Sequence, residues 1–525
     1  MMNTTSSIVE LILFLLIAAS GTALVCSRLK IPYTIALVFA GFGIDIFRPQ
    51  IQEVLRTVGF AAGSNFEILT PEIIFTLFLP GLLFESSLHI DVDQLKQDLG
   101  RISVLAVIGV VVAAAATGYA VHWTIGLPLA SALVFGVLIS ATDPISVVAL
   151  FRELGVANRL TLLVEGESLF NDGTAVVLFK ILVAAALTGV VDPVAGFGQF
   201  LLVVFGGLAL GLAVGYAGSK LISRVDDARI EITLTTLIAY GSYLAAEHMH
   251  VSGVIATVSA GLVVGTLGVT SGMSARTRVA LFGFWEYLAF VINSLVFLLI
   301  GVSVHISDLL ASWMPIAIAT AAVILGRLVT VYTLTPLTDR FAVPVPKAWN
   351  HVLFWGGLHG SVSIALALGL PTELPGRAEI LNLTFGVVAF SIIVQGLTMQ
   401  PLVNYLGLQP KTKPDYERLK AEKIRLAAAR NELEKLREEH VISMPIFTEL
   451  DETLAKQSEA VTAQVLEQQA QDSGLGNDER RIAQLRMALA EKSKLEKAIG
   501  EGLVSEPAAE ALLDDADERI SRLSH

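Results

Sequence analysis

Five side chains able to handle a small cation or a proton lie in two neighbouring apolar segments. Asp143 closes ATDP at residues 141–144, and Glu167, Ser168, Asn171 and Asp172 fall within GESLFND at residues 166–172. On a helix Glu167 lies beneath Asn171 and Ser168 beneath Asp172, so the four share one face. The flanking sequence is apolar for long enough to cross a bilayer. An ionisable group at that depth costs several kcal/mol or more unless it faces protein or a water-filled cavity. A buried polar network that only holds helices together is the plain alternative, but a core carboxylate with no cation beside it is an expensive strut. A carboxylate in a wet cavity binds either a proton or a monovalent cation. If the cation needs the ionised form, the two compete for one site, and a scaffold that opens to each side in turn then yields exchange. Oxygen ligands suit a hard cation such as Na⁺. Asp172 is the candidate ion-binding carboxylate, and backbone carbonyls freed near Thr142 could face the cation.

Other polar residues are placed around this core. Arg327 falls in the middle of an apolar segment, where an unpaired guanidinium is implausible, and Glu167 is its expected partner. That leaves Asp172 free for the ion. Glu85, in LFLPGLLFESSL, is a further intramembrane acid that could line the cavity or help hold Glu167 and Arg327. Asn171 can hydrogen-bond near Asp172 or across helices. Glu247 and Glu286 lie nearer segment ends, where interfacial solvation accounts for them. His359 sits in a glycine-rich stretch and reads as a hydrogen-bonded structural histidine before it reads as a proton carrier.

The elements that must position these groups are membrane helices. Apolar runs long enough to span occur thirteen times, near 8–26, 31–47, 70–88, 102–122, 128–151, 161–183, 197–217, 230–248, 252–268, 280–303, 312–336, 349–370 and 380–405. Thirteen divides as six, one and six, so a linking seventh helix gives two halves of opposite orientation. The fifth segment of the first half contains ATDP; the fifth of the second contains GGLHGSVS at 356–363. Pro144 lacks an N–H and disfavours helix at Asp143, which gives a break there a physical cause. Interrupted segments at matching places in two halves point to a transport site. Loops on one side would carry thirteen basic residues and those on the other three, which puts the N-terminus outside and the C-terminal region inside. The seventh segment carries Gly207, Gly211 and Gly215 at four-residue spacing, a close-packing face that fits a contact within the protomer or between protomers.

Composition agrees with this division. The chain has 525 residues, 54% of them hydrophobic, and a mean hydropathy of +0.68. Residues 408–525 hold 18 of the 36 Lys/Arg and 24 of the 48 Asp/Glu, so the net charge of −12 says little about partners. This region reads as a charged helical tail following a membrane domain at 1–407, with Leu419, Leu426, Leu433 and Leu436 as a thin apolar stripe. The single cysteine, Cys26, excludes an intrachain disulfide and a thiolate metal cluster. A basic stripe with interleaved aromatics is missing, which argues against nucleic acid. No G-x-x-x-x-G-K-[ST] loop occurs, which argues against nucleotide and a primary pump. No cofactor is expected; Na⁺ and H⁺ would be cargo, and membrane lipid the surrounding partner.

The motifs LFLPGLLFES (77–86), ATDPISVVALF (141–151), EGESLFNDGTAVVLF (165–179), EHMHVSGVIA (247–256), FWEYLAFVINSLVFLLIG (284–301), Arg327, WGGLHGSVSIALAL (355–368) and IIVQGLT (392–398) together resemble the monovalent cation/proton antiporters of the NhaP/NHE branch. The resemblance implies an all-α, NhaA-like polytopic fold of thirteen helices in inverted repeats, with two interrupted helices that cross. It implies homodimers built from a dimer domain and a mobile six-helix core. It implies that Asp172 binds Na⁺ or H⁺ with Asp143, Ser168 and the Thr142 carbonyl nearby, that Glu167 and Arg327 pair, and that Glu85 lines the site. It further implies electroneutral one-for-one exchange, which goes with Asn171-Asp172 in place of two consecutive aspartates, and residence in the plasma (inner) membrane. Many members carry Arg where this chain has His359. Two alternatives stand beside this reading: an intramembrane aspartyl-type enzyme using Asp143 and Asp172, and a sodium-coupled symporter or a channel on a similar scaffold. The enzyme would want a YD plus GxGD pair, which the sequence lacks, and gives the second break no role.

Overall fold

The computed structural model describes residues 2–29, 33–57, 74–189, 192–269, 273–303, 306–409, 414–471, 473–500 and 503–523; residues 31–32 and 70–73 of two expected spans lie outside them. Two compact units divide at Gln409 and Pro410. Among the described residues both are helical, with no strand.

In the first unit the helices are α1 (Met2–Leu29), α2 (Tyr33–Ile46), α3 (Arg48–Thr57), α4 (Leu79–His89), α5 (Val92–Ser103), α6 (Val110–Ile125), α7 (Leu129–Leu138), α8 (Ile145–Leu154), α9 (Asn158–Thr188) and α10 (Pro193–Ile222). There follow α11 (Ala228–His248), α12 (Gly253–Val263), α13 (Ala275–Ser303), α14 (Ile306–Ala311), α15 (Trp313–Thr338), α16 (Lys347–Trp355), α17 (Ser361–Leu368), α18 (Arg377–Phe390) and α19 (Gly396–Tyr405). Single π turns join α5 to α6 and α18 to α19, so each pair runs as one long helix. Among the described residues six helices are long and apolar enough to cross a membrane, and four apolar helices of 10–17 residues accompany them.

Local sequence sets many of these boundaries. Asp91, Asp192 and Asp227 each accept two backbone N–H bonds at the start of α5, α10 and α11, satisfying donors a helix start leaves open. Gly155 ends α8 and Gly189 ends α9 in the left-handed conformation, at φ +68° and +69°.

Two spans are broken. The α7–α8 segment is non-helical across residues 141–144 and α16–α17 across residues 357–360. The breaks meet. The Asp143 N–H donates to the Leu358 carbonyl at 2.7 Å, and the Ser363 hydroxyl to the Ala141 carbonyl at 3.1 Å. Each break thus answers part of the other's lost helix bonding, as membrane-depth backbone requires.

A cluster of buried charge ties neighbouring helix ends together. Arg101 is fully buried. Its guanidinium donates to Thr338 at 3.0 Å, to the Val343 carbonyl at 2.9 Å and to Asp339 at 2.5 Å. Asp98, 1% exposed, takes two bonds from Arg159 at 2.7 and 2.8 Å. The network joins α5, the first turn of α9, the end of α15 and the strand of chain leading into α16. Arg101 and Arg159, two of the thirteen basic residues that the sequence assigns to loops on one side, are partners in this cluster.

The glycine face of α10 is consumed inside the protomer. A Cβ on Gly207 would stand 2.6 Å from the Ser252 carbonyl, one on Gly211 would strike the Ala256 carbonyl, and one on Gly215 would stand 2.9 Å from Ala260 Cα. α10 and α12 therefore touch backbone to backbone.

The second unit comprises α20 (Pro414–Glu438), α21 (Met444–Gln471), α22 (Ser473–Gly500) and α23 (Glu506–Leu523). Tyr416 and Val465 form a small core between α20 and α21, and Arg430 meets Asp451 across the pair at 2.7 Å. Leu426 and Leu433 of the expected stripe are buried.

The α10–α12 seam makes a testable demand. Gly211→Ala drives a methyl into the Ala256 backbone, a misfit of about 1–3 kcal/mol, whereas Gly198 has nothing within 4 Å of its Cβ position. Thermal unfolding in detergent, followed by size-exclusion chromatography, should show a lowered midpoint for Gly211→Ala and none for Gly198→Ala; equal midpoints would contradict the seam.

Candidate functional site

The site is built where α9 passes the crossing of the two breaks. α9 spans 31 residues and presents Glu167, Ser168, Asn171 and Asp172, all buried. Asn171 grips the first break from both sides of its amide: its Nδ2 donates to the Thr142 hydroxyl at 2.7 Å, and its Oδ1 accepts from the Thr142 N–H at 3.4 Å. The Ser168 hydroxyl donates to the Thr142 carbonyl through a short bond. The side-chain amide and hydroxyl of α9 thus substitute for the helix bonding that Pro144 and the break remove. On the far side of the break the Ile145 N–H donates to Asp143 Oδ1 at 3.1 Å, which orients that carboxylate.

Glu167 and Arg327 form a two-point ion pair. Arg327 donates to the two Glu167 oxygens at 2.5 and 2.6 Å and to the Leu353 carbonyl at 2.9 Å. The second break makes room for it. A Cβ on Gly357 would lie 2.8 Å from Arg327 Nε, and one on Gly360 would collide with the Asp143 carboxylate. Two of the glycines in GGLHG therefore serve as cut-outs for charged side chains. His359 is buried in the same stretch, with its Nδ1 3.2 Å from the Ala141 carbonyl and its N–H donating to Ser391 at 3.1 Å.

With Glu167 engaged, two carboxylate oxygens are left over. Among the described residues neither Asp172 Oδ1 nor Asp143 Oδ2 has a hydrogen-bond partner, although both atoms are buried. Both side chains line a cavity of about 60 Å³, together with Thr142, Ser168, Glu165 and Ser361. This is roughly twice the share of liquid volume that one water takes. Its donor set is all oxygen, the chemistry a hard monovalent cation prefers.

Glu85 lies elsewhere. Its carboxylate is 3.4 Å from His89 Nδ1, and it lines a separate cavity of about 290 Å³ with Arg152, Glu165 and Glu286. Among the described contacts it meets neither Glu167 nor Arg327. His89, one turn on at i+4, is its near neighbour instead, with its Nδ1 2.9 Å from the Glu85 backbone carbonyl. Glu247, near the end of α11, is paired with Lys180 of α9 at 2.9 Å. Glu286 is largely exposed. Sequence reasoning did not single out Ser363, Ser391 or the Arg152–Glu165 contact. Glu165 lay inside a quoted motif; the hydroxyls carry no local signal, because their partners are more than 30 residues away.

Paired charges and two bare carboxylate oxygens beside crossed, broken membrane helices define an integral membrane protein of the ion-carrier class. Comparison with known proteins gives the family. The sodium/hydrogen exchanger, transmembrane, family matches residues 12–405. The chain is 42% identical over 382 residues to the Na⁺/H⁺ antiporter ApNhaP of Aphanothece halophytica, covering 72% of this chain and 70% of that one. It is 35% identical over 510 residues to the Na⁺/H⁺ antiporter NhaG of Bacillus atrophaeus, covering 96% and 95%. The sodium proton antiporter MjNhaP1 of Methanocaldococcus jannaschii shares the fold, with a TM-score of 0.61 at 17% identity over 77% of this chain and all of that one. The chain belongs to the sodium/hydrogen exchanger family, in its NhaP-type branch, and is an antiporter rather than an enzyme.

The Glu167–Arg327 pair supplies a stability test. Removing one partner strands a buried charge, at a cost of about 3–5 kcal/mol, whereas removing both does not. Arg327→Gln should therefore lower the yield of folded protein in membranes sharply, and Glu167→Gln combined with Arg327→Gln should recover much of it. Fluorescence-detected chromatography reads this out; a double variant as poor as the single would sink the account.

Proposed function

We propose that this protein exchanges Na⁺ for H⁺ across the membrane, one for one, with cation and proton competing for Asp172. The observation that carries the reading is the pair of bare oxygens, Asp172 Oδ1 and Asp143 Oδ2, facing one small cavity at the crossing of the breaks. A proton on Asp172 removes the charge a cation needs, and a bound cation holds the oxygens a proton would take. Neither can be carried together with the other, which is the condition for coupled exchange. The Thr142 carbonyl and Ser168 Oγ complete the oxygen shell once the cation displaces the bond between them. Asn171 holds Thr142 in place, the Glu167–Arg327 pair braces α9 against α15, and His359 braces the first break. Glu85 guards the approach from the larger cavity.

The wider reading is a domain at 1–407 of thirteen spans in inverted repeats, working by alternating access as a homodimer in the plasma membrane. The N-terminus is outside and the tail at 408–525 is cytoplasmic. The relatives named above are described as Na⁺/H⁺ antiporters, which supports these substrates. The aspartyl-type enzyme loses its ground with family membership, and a symporter would require an organic solute.

The decisive experiment is cation-dependent proton movement in everted vesicles, with no added solute, for wild type and Asp172→Asn. Na⁺, Li⁺ and K⁺ are each offered at several pH values with the electrical potential clamped. Wild type should move protons on addition of Na⁺ at a rate that ignores the clamped potential. Asp172→Asn should reach the membrane in normal amount and fall to background. A variant that still exchanges at the normal rate removes the proposal, and a rate that follows the potential removes one-for-one stoichiometry.

A further inference from the structure

We propose that Arg152 and Glu165 form a charge gate between the large cavity and the Asp172 pocket, in which an arriving cation must displace the Arg152 guanidinium from Glu165. The inference rests on the reading that Asp172 is the exchange site.

Three observations meet at this pair. First, the two cavities share a wall. Leu82, Ser86, Pro144, Ile145 and Glu165 line both the space of about 290 Å³ and the space of about 60 Å³ that holds Asp172. Glu165 is the ionisable member of that shared set. It precedes Asp172 by seven residues on α9, so the two carboxylates stand on one face, about 10 Å apart along the axis. Second, Glu165 is already engaged by a cation of the protein's own. Arg152 donates to Glu165 Oε1 at 3.0 Å. Third, the partners are unequally held. The Arg152 side chain is 63% exposed and that of Glu165 16%. The guanidinium can swing into water at small cost, because a pair with one solvated member is worth little; the carboxylate stays in the wall.

The placement of Arg152 links the gate to the site mechanically. It occupies the last turn of α8, the short half-helix whose first turn follows Asp143 and Pro144. On the cavity side the other charged groups facing the pair are Glu85, His89 and Glu286. The Glu85 and Glu286 carboxylates concentrate cations in the large cavity, and Arg152, lining the same cavity, opposes that attraction beside Glu165. Glu165 is thus a relay ligand: it takes the cation from the cavity and passes it to Asp172 without itself being the exchange site.

A tie that only holds α8 to α9 would change stability and leave the affinity for Na⁺ alone. A gate changes the apparent KM for Na⁺. The test is the vesicle exchange assay on Arg152→Gln, Arg152→Ala, Arg152→Lys, Glu165→Gln and the double variant Arg152→Gln with Glu165→Gln, each normalised to protein in the membrane. Arg152→Gln and Arg152→Ala should lower the KM for Na⁺ by about threefold or more, with the maximal rate retained, and Arg152→Lys should keep the wild-type KM. Glu165→Gln should raise the KM. In the double variant the loss of Arg152 should bring no gain, since its target is gone. Two neutral Arg152 variants are read so that a folding defect in one leaves the other. An unchanged or raised KM in the neutral Arg152 variants overturns the gate. So do additive effects in the double variant, which would mean a general field and not a pair. Asp172→Asn in the same assay separates the two levels. Exchange surviving there removes the exchange site, whereas its loss together with an unchanged KM in the neutral Arg152 variants removes the gate alone.

Discussion

The structure depends on two interrupted helices satisfying one another. Broken backbone at membrane depth is tolerable only where something other than lipid answers its polar groups. Here the Asp143 N–H reaches the Leu358 carbonyl, while Ser363 and His359 both reach the Ala141 carbonyl. Side chains of α9 cover what remains: Asn171 takes the Thr142 N–H and hydroxyl, and Ser168 takes its carbonyl. Almost every group at the crossing is thus committed to holding the crossing open. The two carboxylate oxygens without partners stand out against that background, because the surrounding satisfaction makes their bareness costly.

Several charges of the membrane unit are handled by pairing. Glu167 meets Arg327, Asp98 meets Arg159, Arg101 meets Asp339, and Lys180 meets Glu247. Each pair joins elements distant in sequence, so each also fixes a helix against another. Pairing of this kind adds little net stability in place of well-packed apolar residues, but leaving one partner alone costs much more. The pairs therefore act as conditions on assembly. Asp172 lacks such a partner among the described residues, and so does Glu231 of α11, both of whose buried oxygens are bare.

Much of this was legible in the sequence, for physical reasons. Apolar runs placed the helices closely, since hydrocarbon imposes length and composition together. Pro144 and the glycines at 356, 357 and 360 marked both breaks. The one-face spacing of Glu167, Ser168, Asn171 and Asp172 marked one buried face of α9, and the isolation of Arg327 marked its need for an acid. What stayed hidden is what contacts alone determine. Glu85 was free to point at several neighbours, and only the fold places it beside His89 in the large cavity. Arg101 and Arg159 looked like loop charges because their acid partners come from other helices. The roles of Gly357 and Gly360 as space for Arg327 and Asp143 could not be told from simple helix breaking. The glycine ridge of α10 had two possible neighbours in sequence, and only three dimensions choose α12.

That ridge has a consequence for motion. Where glycine lies against a carbonyl there is no layer of side chains to act as a bearing. Rolling α10 against α12 by part of a turn would bring Leu212 or Val214 over the carbonyls now facing Gly211 and Gly215, and the helices would have to part. The two must travel together as one plate. Any relative motion of helices in this unit has to be absorbed at other surfaces, such as the walls of the large cavity beside α4 and α13.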